Sequence, residues 1–158
     1  MPTTSTAGTL PPRVGTMPAR PTALRSRRES LVLEHMESEN RQDFDATLAT
    51  FRRPHYEIIP TGDVYDGAEE VSGYYRDSRA TFPDQRNEII AVHHADDGVI
   101  VEFDLLGTFE GPLRGIPPTG RSFRTRMIAL FLFEEDDDLI SCERVYFDSG
   151  DMLRQLTG

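Results

Sequence analysis

Four long strand patterns in the second half of the chain constrain the fold more than any other feature. They lie at residues 85–94, 99–111, 121–135 and 139–147, where apolar residues alternate with polar ones or form short continuous runs. The DDG sequence at 96–98 is typical of a tight hairpin turn. Because short connections join antiparallel neighbours, the sequence predicts a long antiparallel meander.

Helical patterns precede and follow this meander. Ser26 and Glu29 form a capping box that predicts the start of the first helix. The other predicted elements are helices at 41–52, 68–82 and 149–156 and a short strand at 55–59. Helices followed by a run of strands indicate an α+β domain whose helices cover one face of the sheet.

Two of the predicted strands are apolar on both faces, at 99–106 and 127–133. A strand that faces solvent on one side normally alternates apolar and polar residues. The second face of this sheet is therefore expected to be covered as well, by a second copy of the chain in a homodimer.

Charge and composition divide the chain into a basic tail and an acidic body. Residues 1–25 are rich in Pro and Thr, and we expect a disordered tail there, followed by one domain at 26–158. Residues 1–28 hold five Arg and no acid, whereas residues 29–158 hold 12 Arg and 27 acids. An acidic body repels phosphate, which argues against nucleic acid as a partner.

The sequence favours a cytoplasmic protein without a membrane segment, metal or cofactor. It has no apolar run of membrane-spanning length and no secretory signal pattern. The single cysteine, Cys142, excludes an internal disulfide. The paired His93 and His94 have only acids of a predicted hairpin tip, Asp96 and Asp97, as further metal ligands, so no metal site is predicted.

The segment GTFEGPLRGIPPTGRSF at 107–123 carries the most specific pattern in the chain. Its glycines permit tight turns, and Pro117 and Pro118 stiffen the connection between two strands, so that it would form one wall of a pocket mouth. The segment resembles the SnoaL-like polyketide cyclases and ester cyclases of the nuclear transport factor 2-like superfamily. The ending, Asp148 followed by a short helix closing in RQLTG, is similar to the same family.

The resemblance implies a fold and a kind of chemistry. The fold would be a cone, also called nuclear transport factor 2-like or cystatin-like, in which a curved antiparallel sheet wraps around N-terminal helices. The chemistry would be cofactor-independent, acid–base catalysed cyclisation, isomerisation or dehydration of a polyketide-like or terpenoid substrate in an apolar pocket. A carboxylic acid in such a pocket has a raised pKa and can pass a proton near neutral pH.

The chain departs from the family at the two positions that would carry that chemistry. As the resemblance aligns them, the family's catalytic Asp falls at Val145 and its partner His at Ala129. This opens an alternative function, a non-catalytic small-molecule-binding or dimerisation protein with a vestigial pocket.

Other residues become candidates for catalysis. Glu102 and Asp104 are two apart on a predicted strand and so share a face. If that face is the inner one, two acids in one cavity would split their pKa values into an acid and a base; otherwise the face is solvated or forms an interface. Tyr56 would donate a hydrogen bond to an oxyanion or enolate. Asp148 is interpreted as a helix cap instead of a catalyst.

The candidate substrate-binding residues share a predicted position on the inner sheet face or on the first helix. They are Met127, Ala129, Phe131, Glu143, Val145, Phe147 and His35.

Overall fold

The computed structural model describes residues 22–158 as four helices and six strands. The helices are α1 (Thr22–Asn40), α2 (Phe44–Leu48), α3 (Ala68–Thr81) and α4 (Ser149–Thr157). The strands are β1 (His55–Ile58), β2 (Asp63–Asp66), β3 (Arg86–His94), β4 (Gly98–Thr108), β5 (Ser122–Phe133) and β6 (Ile140–Phe147). The predicted α+β class and the four-stranded meander are confirmed.

The first helix begins earlier than the capping box predicted. Most of the predicted tail, residues 1–21, lies outside the described residues, but residues 22–25 belong to α1. Leu24 is buried in this first turn, and Arg25 lies 3.4 Å from Asp96. Tertiary contacts therefore stabilise the helical turn that precedes Ser26. A capping box is a local sequence signal and could not predict these contacts.

The six strands form one curved, open sheet in the order β2-β1-β6-β5-β4-β3. All neighbours are antiparallel except β1 and β6, which run parallel. Irregularities in register occur between Ile89 and Ala91 and between Leu132 and Phe133. Such bulges bend a strand and increase its twist, so they favour the curvature of the sheet.

The inner face of this sheet packs against the helices. Along β5 the even-numbered residues from Ser122 to Ile128 are exposed, while the odd-numbered residues from Phe123 to Phe133 are buried. Val32 and Met36 from α1 and Val71 and Tyr75 from α3 join the same core. The alternation follows from the period of two in a strand.

The outer face of the sheet carries exposed apolar side chains. Ile90, Ile128 and Tyr146 are 46%, 44% and 42% exposed. No described residue covers them, so the two-sided apolar pattern of the sequence reflects a face that is open in the single chain.

A buried arginine fastens α1 to the sheet. Arg28 is 2% exposed and donates hydrogen bonds to the carbonyl oxygens of Asp137 and Glu134, both at 2.9 Å, and of Asp96 at 3.3 Å. Its guanidinium also lies 4.6 Å from the centre of the Phe133 ring. One side chain thus connects the helix to the β3–β4 and β5–β6 turns, which only the planar donor fork of Arg can do.

We expect Arg28→Met to destabilise the fold strongly. The variant keeps the apolar stem but leaves buried carbonyl groups without donors, and the free energy of unfolding should fall by about 2–4 kcal/mol. Urea denaturation measures the change. The matched control is Arg27→Met, because Arg27 is exposed and only 3.4 Å from the equally exposed Asp138; its effect should stay within about 0.5 kcal/mol. Equal stability of the two variants would contradict the role of Arg28 in holding α1 to the two turns.

The loop between β4 and β5 lies against the end of α3 at a position that admits only glycine. A Cβ added to Gly111 would lie 2.1 Å from the Ala80 carbonyl oxygen. The N–H groups of Glu110 and Gly111 both donate to the Thr81 carbonyl, and the Thr81 hydroxyl donates to the Pro112 carbonyl at 3.0 Å. The loop is therefore braced on α3.

We expect Gly111→Ala to cost about 1–3 kcal/mol of unfolding free energy, because the methyl group must push the loop away from the helix. Gly73→Ala is the matched control inside α3. There a Cβ meets nothing closer than Arg76 at 3.7 Å, and removing a helical glycine should stabilise the fold by about 0.5–1 kcal/mol. Urea midpoints that move in the same direction for both variants would disprove the close approach.

Candidate active site

A cavity of about 640 Å³ lies between the inner sheet face and the helices. This volume is in the range of sites that hold a drug-sized molecule. The predicted mouth segment does line it, through Pro112, Leu113 and Arg114. The strand residues that line it are Tyr56, Ile58, Asp63, Tyr65, Phe103, Leu105, Met127, Glu143, Val145 and Phe147. The walls are therefore largely apolar. A charged side chain in such a wall requires a structural or functional explanation.

Three buried polar side chains, His35, Arg79 and Glu143, form what we call the acid–histidine cluster together with Glu39, whose side chain is 13% exposed. The Nε2 atom of His35 lies 3.0 Å from Glu143 and 3.3 Å from Glu39. Arg79 lies 3.8 Å from the other oxygen of Glu39. Glu39, Arg79 and Glu143 line the cavity, whereas His35 lies behind the two carboxyl groups.

Hydrogen bonds fix which nitrogen of His35 carries a proton. The Thr50 hydroxyl donates its only hydrogen to the Thr47 carbonyl at 2.6 Å. The contact of 2.8 Å between His35 Nδ1 and Thr50 Oγ1 therefore requires Nδ1–H as the donor. The Nε2 atom is left to face Glu39 and Glu143, so at least one further proton must lie among these three groups.

Aromatic side chains hold the imidazole ring in place. Phe51 and Phe131 meet it edge-on, with ring centres 5.3 Å and 5.1 Å away. Phe131 was predicted to bind substrate; it is fully buried, is not among the residues that line the cavity and instead positions His35.

The cluster holds its protons unequally. Burial opposes the charge on His35, but the neighbouring Glu143 and Glu39 outweigh it and raise the pKa of the imidazole to about 10. Burial also raises the pKa of Glu143, and the nearby imidazolium offsets this only in part. For Glu39 the balance is reversed: hydrogen bonding and attraction from His35, with the charge of Arg79, lower its pKa despite burial. The two shifts therefore favour the protonated form of Glu143 and the ionised form of Glu39.

Tyrosines form the wall next to this cluster. Tyr74 stacks between Tyr56 and Tyr65, with ring centres 4.9 Å and 4.8 Å apart. Burial raises the pKa of Tyr56 and Tyr75 well above the usual value, so both hydroxyl groups stay protonated and can donate. The predicted Tyr56 therefore lies in the cavity, opposite Glu143 in the parallel register of β1 and β6.

Three polar atoms at the cavity have hydrogen-bonding capacity to spare. Within residues 22–158, the Tyr75 hydroxyl, Arg79 Nε and one Glu143 oxygen have no aligned partner. Buried polar groups are normally satisfied, and exceptions concentrate where a water or a ligand binds. The contact between His35 Nε2 and Glu143 is likewise at hydrogen-bond distance but without hydrogen-bond alignment.

The predicted catalytic pair lies on the wrong face of the sheet. Val101, Phe103 and Leu105 pack on the inner side, which turns Glu102 and Asp104 to the outer face. There Arg124 and Arg126 hold Asp104 at 2.6 Å and 2.7 Å, and Arg126 also bonds Glu102 at 2.8 Å. These arginine hydrogen bonds lower the pKa of Asp104. The expectation that both acids enter the cavity is wrong, because β4 presents its apolar side to the helices.

The other predicted binding residues divide into those that line the cavity and those behind it. Met127, Glu143, Val145 and Phe147 line it; Ala129, Phe131 and His35 do not. Ala129 and Val145 are direct neighbours on β5 and β6 and are both buried. The positions aligned with the family's acid–base pair therefore do lie side by side, but as apolar core.

Asp148 caps α4, as interpreted from the sequence. Its carboxylate accepts a hydrogen bond of 2.9 Å from the Asp151 N–H, and it is exposed.

Sequence reasoning missed Glu39, Arg79 and Tyr75. A signal for them exists: Glu39 follows His35 by four residues, and Arg79 follows Tyr75 by four, so each pair shares a helix face. The sequence could not show that these two faces meet each other and Glu143.

His35, Glu39 and Glu143 also have the side chains of a metal site, with ligand atoms within 4.8 Å of one another. Arg79 already supplies a positive charge to Glu39, and the imidazole supplies another. The cluster is therefore better suited to hold protons than a divalent cation.

An open, curved sheet with helices over its inner face and a cavity between them defines the α+β class of this domain. The sequence profile of the SnoaL-like polyketide cyclases matches residues 30–156. The chain belongs to this family, which confirms the resemblance seen at residues 107–123.

Solved structures agree on the fold. A candidate SnoaL-like polyketide cyclase from Jannaschia sp. CCS1 superposes with a TM-score of 0.75 at 20% identity, covering 84% of this chain and 93% of that one. TsrD from Streptomyces laurentii gives 0.71 at 26% identity, covering 84% and 96%. AclR from Streptomyces galilaeus, a candidate hydroxylase, gives 0.68 at 17% identity, covering 81% and 79%. A comparison with curated proteins found no match.

The sequence predicts no membrane-spanning segment. None of the helices in residues 22–158 has both the length and the hydropathy needed to cross a membrane.

We expect the fold to lose stability as the pH rises from about 6.5 to about 10. The pKa of His35 in the folded state, about 10, exceeds its ordinary value of 6.5, so the folded protein binds an extra proton across this window. Its contribution is complete below pH 6.5 and lost as the pH passes about 10. Glu143, whose pKa is also raised, acts in the same direction.

Urea midpoints measured from pH 6 to pH 10.5 test this. The decline should be present in the wild type and in the control His93→Gln, whose side chain is exposed, and reduced in His35→Gln. A midpoint that declines equally in all three proteins would exclude the buried imidazolium.

Proposed function

We propose that the chain is a cofactor-independent enzyme that cyclises, isomerises or dehydrates a polyketide-like or terpenoid molecule by acid–base catalysis. The observation that carries the proposal is the pair of carboxyl groups, Glu39 and Glu143, that face one apolar cavity with pKa values shifted in opposite directions. Membership of the polyketide cyclase family supports the kind of reaction and substrate.

In the proposed step, the ionised Glu39 takes a proton from a carbon next to a carbonyl group. The protonated Glu143 gives its proton to the carbonyl oxygen, so an enol forms and the substrate's charge is unchanged. The enol can then attack a second carbonyl, expel a hydroxyl group as water or be reprotonated at another carbon. In each case one carboxyl group takes the hydroxyl proton of the enol while the other protonates the new alkoxide, the leaving hydroxyl group or the carbon. Matched proton donors and acceptors of this kind contribute about 10²–10⁴-fold in rate.

His35 acts as a positioning residue that resets the pair. Its Nε2–H can pass to the deprotonated Glu143 while the ring takes the proton that Glu39 has gained. The Nδ1–H bond to Thr50 and the two phenylalanine rings keep Nε2 aimed at both acids throughout. The exchange returns Glu39 to its ionised form without a proton from solvent.

The tyrosines supply donors for the oxygen atoms of the substrate. The Tyr75 hydroxyl has no aligned partner, and Tyr56 lies next to Glu143. Donors fixed before the reaction stabilise an enolate oxygen better than mobile water does. The stacked rings of Tyr56, Tyr74 and Tyr65 offer a flat wall, which suits a planar conjugated skeleton.

A second function is favoured by a specific observation. Ala129 and Val145 are apolar at the positions aligned with the family's acid–base pair. A cavity that has lost its catalytic pair would retain a small molecule without converting it. The experiment below separates this binding function from catalysis.

The homodimer and the cytoplasmic location also stay proposals. Ile90, Ile128 and Tyr146, exposed on the outer sheet face, support a second copy as the partner.

The test is incubation of the purified protein with a metabolite extract of its source cells, followed by mass spectrometry of retained and converted molecules. We expect Glu143→Gln and Glu39→Gln each to lower the conversion rate about 10²–10⁴-fold, because each keeps its shape but loses proton transfer. His35→Gln should displace the pH optimum, which a merely structural role would not do.

The control is the double variant Glu102→Gln/Asp104→Asn, which removes the two acids of the outer face. It should convert the substrate within about twofold of the wild-type rate. Conversion that survives in both cavity variants would refute the assignment. A molecule that the wild type retains unchanged would support the binding function.

A further inference from the structure

Three potential metal ligands meet on the outer face of the sheet, at the junction of β1 and β6. They are His55, Glu57 and Cys142, and their ligand atoms all lie within 4.8 Å of one another. We propose that they form a site for a borderline-soft divalent cation of the Zn²⁺ type. The site is separate from the cavity and departs from the metal-free expectation of the sequence.

The strands place these ligands without help from loops. His55 and Glu57 are two apart on β1 and share a face. The parallel register pairs Glu57 with Arg144, which puts Cys142, two residues earlier on β6, beside His55. Ligands on paired strands are held more firmly than ligands on loops, so little ordering entropy opposes binding.

Small side-chain movements would complete the coordination. Tetrahedral zinc with bonds of about 2.0–2.3 Å places its ligand atoms about 3.3–3.6 Å apart. The ligand atoms lie within 4.8 Å of one another, so the widest separation must close by at most about 1.5 Å. His55 Nε2 and a Glu57 oxygen already lie 3.0 Å apart. Arg144 holds the other Glu57 oxygen at 2.5 Å, which leaves the first oxygen to bind as a single ligand.

The second nitrogen of His55 has the partner that metal-binding histidines usually have. Its Nδ1 lies 3.0 Å from Asp66 on β2. A carboxylate in this position fixes the ring orientation and makes Nε2 a better ligand. Asp66 is not one of the three proposed ligands, but its contact with Nδ1 supports a cation at Nε2.

The donor set selects the type of metal. Thiolate, imidazole and carboxylate suit Zn²⁺ and Co²⁺, whereas Mg²⁺ and Ca²⁺ need oxygen ligands. Three protein ligands leave a fourth position for water. Arg144 and Arg53 stay paired with carboxylate oxygens of Glu57 and Asp66 that do not bind the cation.

Cobalt titration tests the proposal, because Co²⁺ bound to a thiolate absorbs strongly in the near ultraviolet. Metal-free, reduced wild-type protein should develop this band with a one-to-one end point and lose it when Zn²⁺ is added. Cys142→Ser should abolish the band. Asp66→Asn should retain it with a dissociation constant raised about 10-fold or more.

The matched control is the variant His35→Gln/Glu143→Gln, which disrupts the other cluster with metal-ligand chemistry and leaves the outer face intact. It should bind Co²⁺ as the wild type does, since the cavity cluster has no sulfur ligand. Circular dichroism establishes that each variant is folded. The absence of a thiolate band in folded wild type, or a band that survives in Cys142→Ser, would overturn the proposal without affecting the proposed enzyme.

Discussion

The pleat of β6 is the constraint on which both chemical sites depend. Glu143 and Val145 point inward to the cavity, while Cys142 and Arg144 point outward. Because successive residues of a strand face opposite sides, one shift in register would exchange the two sets. A buried carboxyl group would then lie in solvent and an arginine in the core. The pairing of β6 with β1 and β5 therefore decides the chemistry as well as the fold.

The acid–histidine cluster explains why a shift in this register is unfavourable. Burying one charge alone costs several kcal/mol, and the cost is offset only when the partners are buried together. His35, Glu39, Arg79 and Glu143 come from α1, α3 and β6, so the full set of ion contacts forms only when both helices lie on the sheet. Arg28 holds α1 to the sheet near the N-terminal end of that helix. The contacts proposed for proton transfer are thus the same contacts that require the helices and the sheet to pack correctly.

Most of the fold could be predicted from the sequence, but the candidate site could not. The strands after residue 85 were predicted within a few residues, because long apolar periodicity and turn residues are local signals. The sequence predicted two acids with split pKa values at Glu102 and Asp104, whereas the pair with opposite pKa shifts at the cavity is Glu39 and Glu143. Strand β4 is apolar enough on both sides that periodicity does not reveal its inner face, and the meeting of α1, α3 and β6 is a long-range event with no local signature.

The wall of stacked tyrosines has an optical consequence. The chain has no tryptophan and five tyrosines, and four of them, Tyr56, Tyr65, Tyr74 and Tyr75, line the cavity. Ultraviolet emission from this domain therefore originates mostly from the walls of the cavity. A molecule that enters between those rings changes the signal of most emitters at once, so the protein carries a built-in reporter of occupancy that needs no added dye.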